Sequence, residues 1–174
     1  WRMANGKVFP VESAYIEENI IRKSYYLLRE AKFDGALLEF EKARTDLSAG
    51  DHAQAIQNAN LAVESVIKGI FDIKKAKPGQ LFRKLIDSEI IPEYYDGFLN
   101  AFENILRSVA IMRNEEQGAG HGSGAEKPKI PYPLAELAVN LSAVLINFLI
   151  KYYLESLDRG SSEESLPGDD DIPF

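Results

Sequence analysis

The chain has no cysteine and only two histidines among its 174 residues. Without thiols neither a disulfide framework nor a thiolate metal site can form, and two imidazoles are too few for a protein-built zinc centre, so no metal and no cofactor is expected. A basic segment followed by a short apolar one is missing at the start, which removes the pattern of a secretory leader and leaves a cytoplasmic location as the expectation. Trp1 in place of methionine carries the further expectation of a processed chain or a portion of a longer one, with room for another domain ahead of it. Alternation of apolar and polar residues, the mark of a half-buried strand, is not found. An excess of positive charge is also lacking: the net charge is −7, and residues 155–174 hold seven acids against one base, or −6, which leaves −1 for the first 154 residues. The body of the chain is therefore nearly neutral, and any contact with nucleic acid has to be local.

What the chain does have is apolar residues at helical spacing. Hydrophobic residues make up 45% of the total, enough for the core of one domain at this length. Residues 12–48 read as helix with a break at Gly35, and Tyr15, Ile20, Leu27, Leu28, Leu37, Leu38 and Phe40 are expected to face inward. After Gly50, Asp51 is placed to cap a helix whose inner face carries Ile56, Ala59, Val63, Ile67 and Ile70. A shorter helix with Leu81, Leu85 and Ile86 follows Pro78-Gly79. Pro92 can start the next, with Phe98, Phe102, Ile105, Leu106, Val109 and Met112 on one side. The strongest apolar run, residues 137–154, is interrupted by Asn140, Ser142, Asn147 and Lys151, each costly in a bilayer. Its helical spacing at Leu134, Leu137, Leu141, Val144, Leu145, Phe148 and Tyr152 predicts the central helix of a bundle rather than a membrane span, packed against Ile56, Val63 and Ile67. The fold class is all-α, an up-and-down bundle of five or six helices over residues 1–158. Residues 159–174 form a flexible linker and an extended or disordered acidic tail.

Between the last two helices lies RNEEQGAGHGSG, residues 113–124, within a connection unusually long for a bundle. Gly118, Gly120 and Gly122 allow successive backbone N–H groups to converge on an anion. Arg113 offers a planar fork of donors for phosphate oxygens, and His121 is of the residue type that moves protons near neutrality. Lys127 and Lys129 add positive charge nearby. The same residues also read as a helix end, Arg113 and Asn114 capping it, with His121 packed in a turn.

Four blocks in order, LSAGDHAQAIQNANLAVESVIKGIFD at 47–72, QLFRKLI at 80–86, RNEEQGAGHG at 113–122 and LAELAVNLSAVLINFLI at 134–150, resemble the C-terminal domain of bacterial abortive-infection proteins, a group related to the HEPN superfamily. The resemblance covers most of residues 45–154. It implies an all-helical HEPN-like fold, a homodimer, and a metal-independent endoribonuclease or toxin-like effector in antiphage defence. In such nucleases an arginine, a polar residue directly after it and a histidine form the site, and Arg113, Asn114 and His121 match these elements. Seven residues separate Arg113 from His121, a longer spacing than is usual in the family.

The chain ends in DDDIPF: Asp169, Asp170, Asp171, Ile172, Pro173 and Phe174. This resembles the C-terminal tip of bacterial single-stranded-DNA-binding protein, native or fused, and implies the alternative of a non-catalytic helical sensor or interaction module that recruits DNA-maintenance proteins. A terminal phenylalanine can enter an apolar pocket while its carboxylate meets a basic residue and the aspartates meet a basic rim. Phe174→Ala is therefore expected to abolish most capture of enzymes that bind that tip, and loss of the tail to leave the melting temperature nearly unchanged. Equal capture by the variant and the wild type in a pull-down would reduce these residues to an inert acidic end.

Overall fold

The computed structural model describes residues 2–4, 7–9, 14–88, 104 and 130–163. The helix expected around Phe98–Met112, with its apolar positions, lies outside the described residues, as does the acidic end from residue 164 onward. The described elements form an all-α bundle. A helical rod opens it as α1 (Ala14–Ile16), a π turn (Glu17–Ile21) and α2 (Arg22–Glu30). Then follow α3 (Asp34–Ala49), α4 (His52–Ile70), α5 (Pro78–Ile86) and the long α6 (Tyr132–Glu163). One feature was not expected: a short antiparallel pair, β1 (Arg2–Ala4) and β2 (Lys7–Phe9), with Met3 opposite Val8. Three residues per strand are too few to show an alternation in the sequence.

The helices stop for a common reason. After α2, α3 and α4 one residue takes the left-handed conformation, Lys32 (φ 58°), Gly50 (φ 81°) and Asp72 (φ 49°). Each time the next amide bonds back across the last turn: Phe33 N to Leu28 O at 2.9 Å, Asp51 N to Asp46 O at 2.9 Å and Ile73 N to Lys68 O at 2.9 Å. This motif satisfies carbonyls that the helix end leaves unpaired. The expected cap holds, since the Asp51 carboxylate accepts from Gln54 N at 3.2 Å. The expected break at Gly35 moves: it sits at Lys32, and Gly35 lies within the first turn of α3. A glycine was the better sequence signal, but the backbone turns at a lysine.

α4 is the axis of the bundle, packing chiefly on α3 and α6, and α6 also touches α2, α3 and the π turn. The core joins Leu27, Leu28, Phe40, Val63, Val66, Ile67, Leu81, Leu85, Val139, Ile146, Leu149 and Ile150. Ala55, Ala59 and Ala62 on α4 and Ala138 and Ala143 on α6 are fully buried and let the helices approach closely. Among the expected inner residues, Leu27, Leu28, Phe40, Ile56, Ala59, Val63, Ile67, Leu81, Leu85 and Leu145 are buried. Tyr15 and Leu38 are exposed instead.

The larger correction concerns α6. Leu137 and Val144, expected in the core, are 54% and 46% exposed, and Leu141 and Phe148 are half-buried. The buried face carries Ala135, Ala138, Val139, Ser142, Ala143, Ile146, Asn147, Leu149 and Ile150. Small and polar residues hide this face from a reading weighted by large apolar side chains. Residues 132–157 are long and apolar enough to cross a membrane, yet 56% of the 18-residue apolar window within them is buried in the bundle. α6 also runs to Glu163, into the segment read as linker, because nothing before Pro167 forbids helical geometry.

Glycine substitutions separate two kinds of site. A Cβ on Gly69 would lie 2.7 Å from the Phe33 ring, which rests against Tyr153 with centroids 5.7 Å apart, whereas one on Gly35 meets nothing within 4 Å. Gly69→Ala should therefore destabilise the fold by about 1–3 kcal/mol through overpacking. Gly35→Ala should stabilise it by about 0.5–1 kcal/mol by removing chain entropy. Denaturant titration reads both, and equal signs would refute the assignment.

Candidate functional site

Arg113, Asn114, Gly118, Gly120, His121, Gly122, Lys127 and Lys129 all lie outside the described residues, as do Asp169 to Phe174. What is described is the point where the glycine-rich connection rejoins the bundle. His52, the first residue of α4, donates from Nδ1 to the Ile130 carbonyl at 2.6 Å. Its ring meets Tyr132 edge-on, with centroids 5.8 Å apart and planes at 67°. Ile130 in turn packs on a small cluster of Ile56, Ala135 and Ala138, with Leu47 and Leu141 at its margin. The exit of the connection is thus held at the N-terminal end of α4. His52 is committed to that hold and was not singled out in the sequence, where it looked like any residue after a cap.

Polar side chains continue along α4. Asn58 Nδ2 donates to Asp46 Oδ2 at 2.7 Å, tying α4 to α3, and Asn60 Nδ2 donates to Glu64 Oε1 at 2.7 Å. Asn60 and Glu64 are both buried, a costly placement that demands partners. Between the first rod and α3 lies a buried ion pair: Arg44 reaches both Glu17 oxygens, Nη2 to Oε2 at 2.9 Å and Nη1 to Oε1 at 3.3 Å. Burial pushes the nearby Tyr25 hydroxyl up to about 12, against the opposing pull of the Arg44 charge, so it stays protonated at neutral pH. Among the described residues no group of three or more His, Asp or Glu side chains could hold a metal ion.

At another end of the bundle is a feature missed in the sequence. Lys68 closes α4, Lys74, Lys75 and Lys77 occupy the turn, and Arg83 and Lys84 stand in the last turn of α5. Phe71, Ile73 and Ala76 pack on the core and hold the turn down, while Asp72, Lys74, Lys75 and Lys77 point outward. Residues 68–84 carry six bases and one acid, +5 in all. A charge count in a short window would have found it; the totals for the whole chain and for its first 154 residues concealed it.

These helices and their order define an all-helical bundle domain. The family model for the abortive-infection C-terminal domain, described as a HEPN-like domain, matches residues 34–153, more than half of the chain, and the chain belongs to that family. No curated protein and no solved structure matches it.

The hold on the connection can be tested by keeping the ring and removing its donor. His52→Phe should preserve the contact with Tyr132 yet lower stability by about 0.5–1.5 kcal/mol, the net value of one hydrogen bond. Faster amide exchange at residues 132–136 should accompany it. Unchanged exchange there would mean that Ile130 is held by packing alone.

Proposed function

We propose that the chain is a defence-associated, metal-independent endoribonuclease that acts as a homodimer through Arg113, Asn114 and His121. The observation that carries this reading is the extent of the family match, residues 34–153, which includes the whole Arg113–His121 segment and both of its flanks. The hold of His52 on Ile130 supports it, because a catalytic loop needs a fixed root.

The chemistry needs only these side chains and the substrate. Neutral His121 takes the proton of a ribose 2′-hydroxyl, the oxygen attacks the adjacent phosphorus, and the bond to the 5′-oxygen breaks as the imidazolium of either copy gives that oxygen a proton, leaving a 2′,3′-cyclic phosphate and a 5′-hydroxyl. Arg113 stabilises the charge growing on the phosphoryl oxygens, and Asn114 orients either partner. Gly118, Gly120 and Gly122 present backbone N–H groups to phosphate, with Lys127 and Lys129 beside them. Two copies bring two such loops together.

Incubation of the purified chain with mixed RNA in EDTA should give cleavage that Arg113→Ala and His121→Ala each abolish while the melting temperature stays the same. Products should end in 2′,3′-cyclic phosphate; 3′-hydroxyl ends would exclude the mechanism. A second reading, a non-catalytic module that recruits DNA-maintenance proteins, rests on the terminal DDDIPF. Wild-type chain that cleaves no RNA but captures such proteins through Phe174 would establish it in place of the first.

A further inference from the structure

We infer that the basic end of the bundle, formed by Lys68, Lys74, Lys75, Lys77, Arg83 and Lys84, binds the sugar–phosphate backbone of RNA. The choice of RNA as the polyanion rests on the ribonuclease reading above; the surface itself does not.

The positions of these cations argue for a partner. Lys68, Arg83 and Lys84 lie in the last turns of α4 and α5, where positive charge complements the helix dipole and contributes to stability. Lys74, Lys75 and Lys77 have no such local role. They precede α5, and Lys77 is its N-cap residue, at the end of the helix where the dipole disfavours a cation and where Ser, Thr, Asp or Asn is the usual choice. Among the described residues none of the six is in an ion pair.

The six lie within seventeen residues, along the end of α4, the turn after it and α5. Lys84 Nζ lies over the Phe71 ring, 5.6 Å from its centroid, which joins the α5 cations to the turn. Phe71, Ile73 and Ala76 fix the backbone from below. Beside them α5 borders a shallow depression of about 410 Å³ lined by Gln80, Arg83, Lys84, Asp87 and Ser88. With +5 concentrated here, the rest of the first 154 residues carries −6. A polyanion is therefore drawn to this end more strongly than a chain of net charge −7 would suggest. A lipid surface fits less well: among the described residues the exposed large apolar side chains, Tyr15, Ile16, Tyr26, Leu38, Leu137, Val144 and Leu157, all lie outside this segment. Phosphate contacts by lysine hold a strand in place without reading its sequence, which leaves base choice to the cleavage loop.

The test uses the full chain carrying His121→Ala, so that cleavage cannot consume the probe, and fluorescence anisotropy with labelled oligouridylate across a salt series. Lys74→Glu, Lys75→Glu and Lys77→Glu combined should weaken binding about tenfold or more at moderate salt. Loss of three phosphate contacts should also flatten the slope of log affinity against log salt by roughly 2. Arginine at the same three positions should retain binding. All three sites are exposed, so melting temperatures should agree among the variants. Salt-dependent binding lost only in the glutamate variant supports the surface even if the wild-type chain proves unable to cleave RNA, which separates this inference from the catalytic one. Oligouridylate bound equally by wild type and glutamate variant overturns it. So does a wild type without salt-dependent binding, or a surface whose lysines matter only for a synthetic peptide of residues 163–174.

Discussion

The rotation of α6 about its own axis is the constraint on which the rest of this fold depends, and hydrogen bonds set it. The π turn at Glu17–Ile21 widens the helical ring, and the Ile20 carbonyl receives two side-chain donors, Ser24 Oγ at 2.9 Å and Asn147 Nδ2 at 3.0 Å. Ser24 Oγ also lies 3.1 Å from the Ala143 carbonyl, a second link to α6. Turned to the face that its large apolar residues suggest, α6 would bury Leu137 and Val144 and take Ser142, Ala143 and Asn147 away from the first rod. That rotation would cost the Ile20 carbonyl its Asn147 donor and the bundle the close approach that Ala138 and Ala143 allow, even though the observed one leaves Ser142 Oγ and Asn147 Oδ1 buried with no partner among the described residues.

The same π turn supplies Glu17 to the buried pair with Arg44, so one irregular stretch contacts both α3 and α6. A buried ion pair adds little net stability, but removal of either partner strands a charge and costs about 3–5 kcal/mol. Such pairs select one arrangement of helices over close competitors. Asn58 with Asp46 has the same effect between α3 and α4, at the end of the bundle where His52 holds Ile130. The polar groups of the interior thus lead to the point where the glycine-rich connection rejoins the bundle at Ile130.

That point and the basic surface occupy different parts of the chain, the first at the start of α4 and the second beyond its end. α4 is 19 residues long, and the helical rise sets the two about 28 Å apart. On the reading proposed above, a strand held on the lysines would reach the end of the connection at Ile130 only by running along the bundle or by crossing to a second copy.

The sequence alone determined the class of fold, the order of the helices, the Asp51 cap, the inner face of α4 and the family. Each of these is written in residues near one another, as a 3.6-residue period, a cap or a run of motifs in order, and local geometry suffices to express them. The tertiary structure decided what depends on partners distant in sequence. The α2 break fell at Lys32 and not Gly35, because the backbone that brings Phe33 onto Gly69 and Tyr153 must turn there. α6 buried alanine, serine and asparagine rather than Leu137 and Val144, because its hydrogen-bond acceptors and donors lie more than a hundred residues away. The lysines of residues 74–77 became a surface only when Phe71, Ile73 and Ala76 were pinned to the core beneath them. Hydropathy records how much a side chain avoids water, but the neighbours that satisfy a buried polar group or gather scattered charge are set by the folded chain.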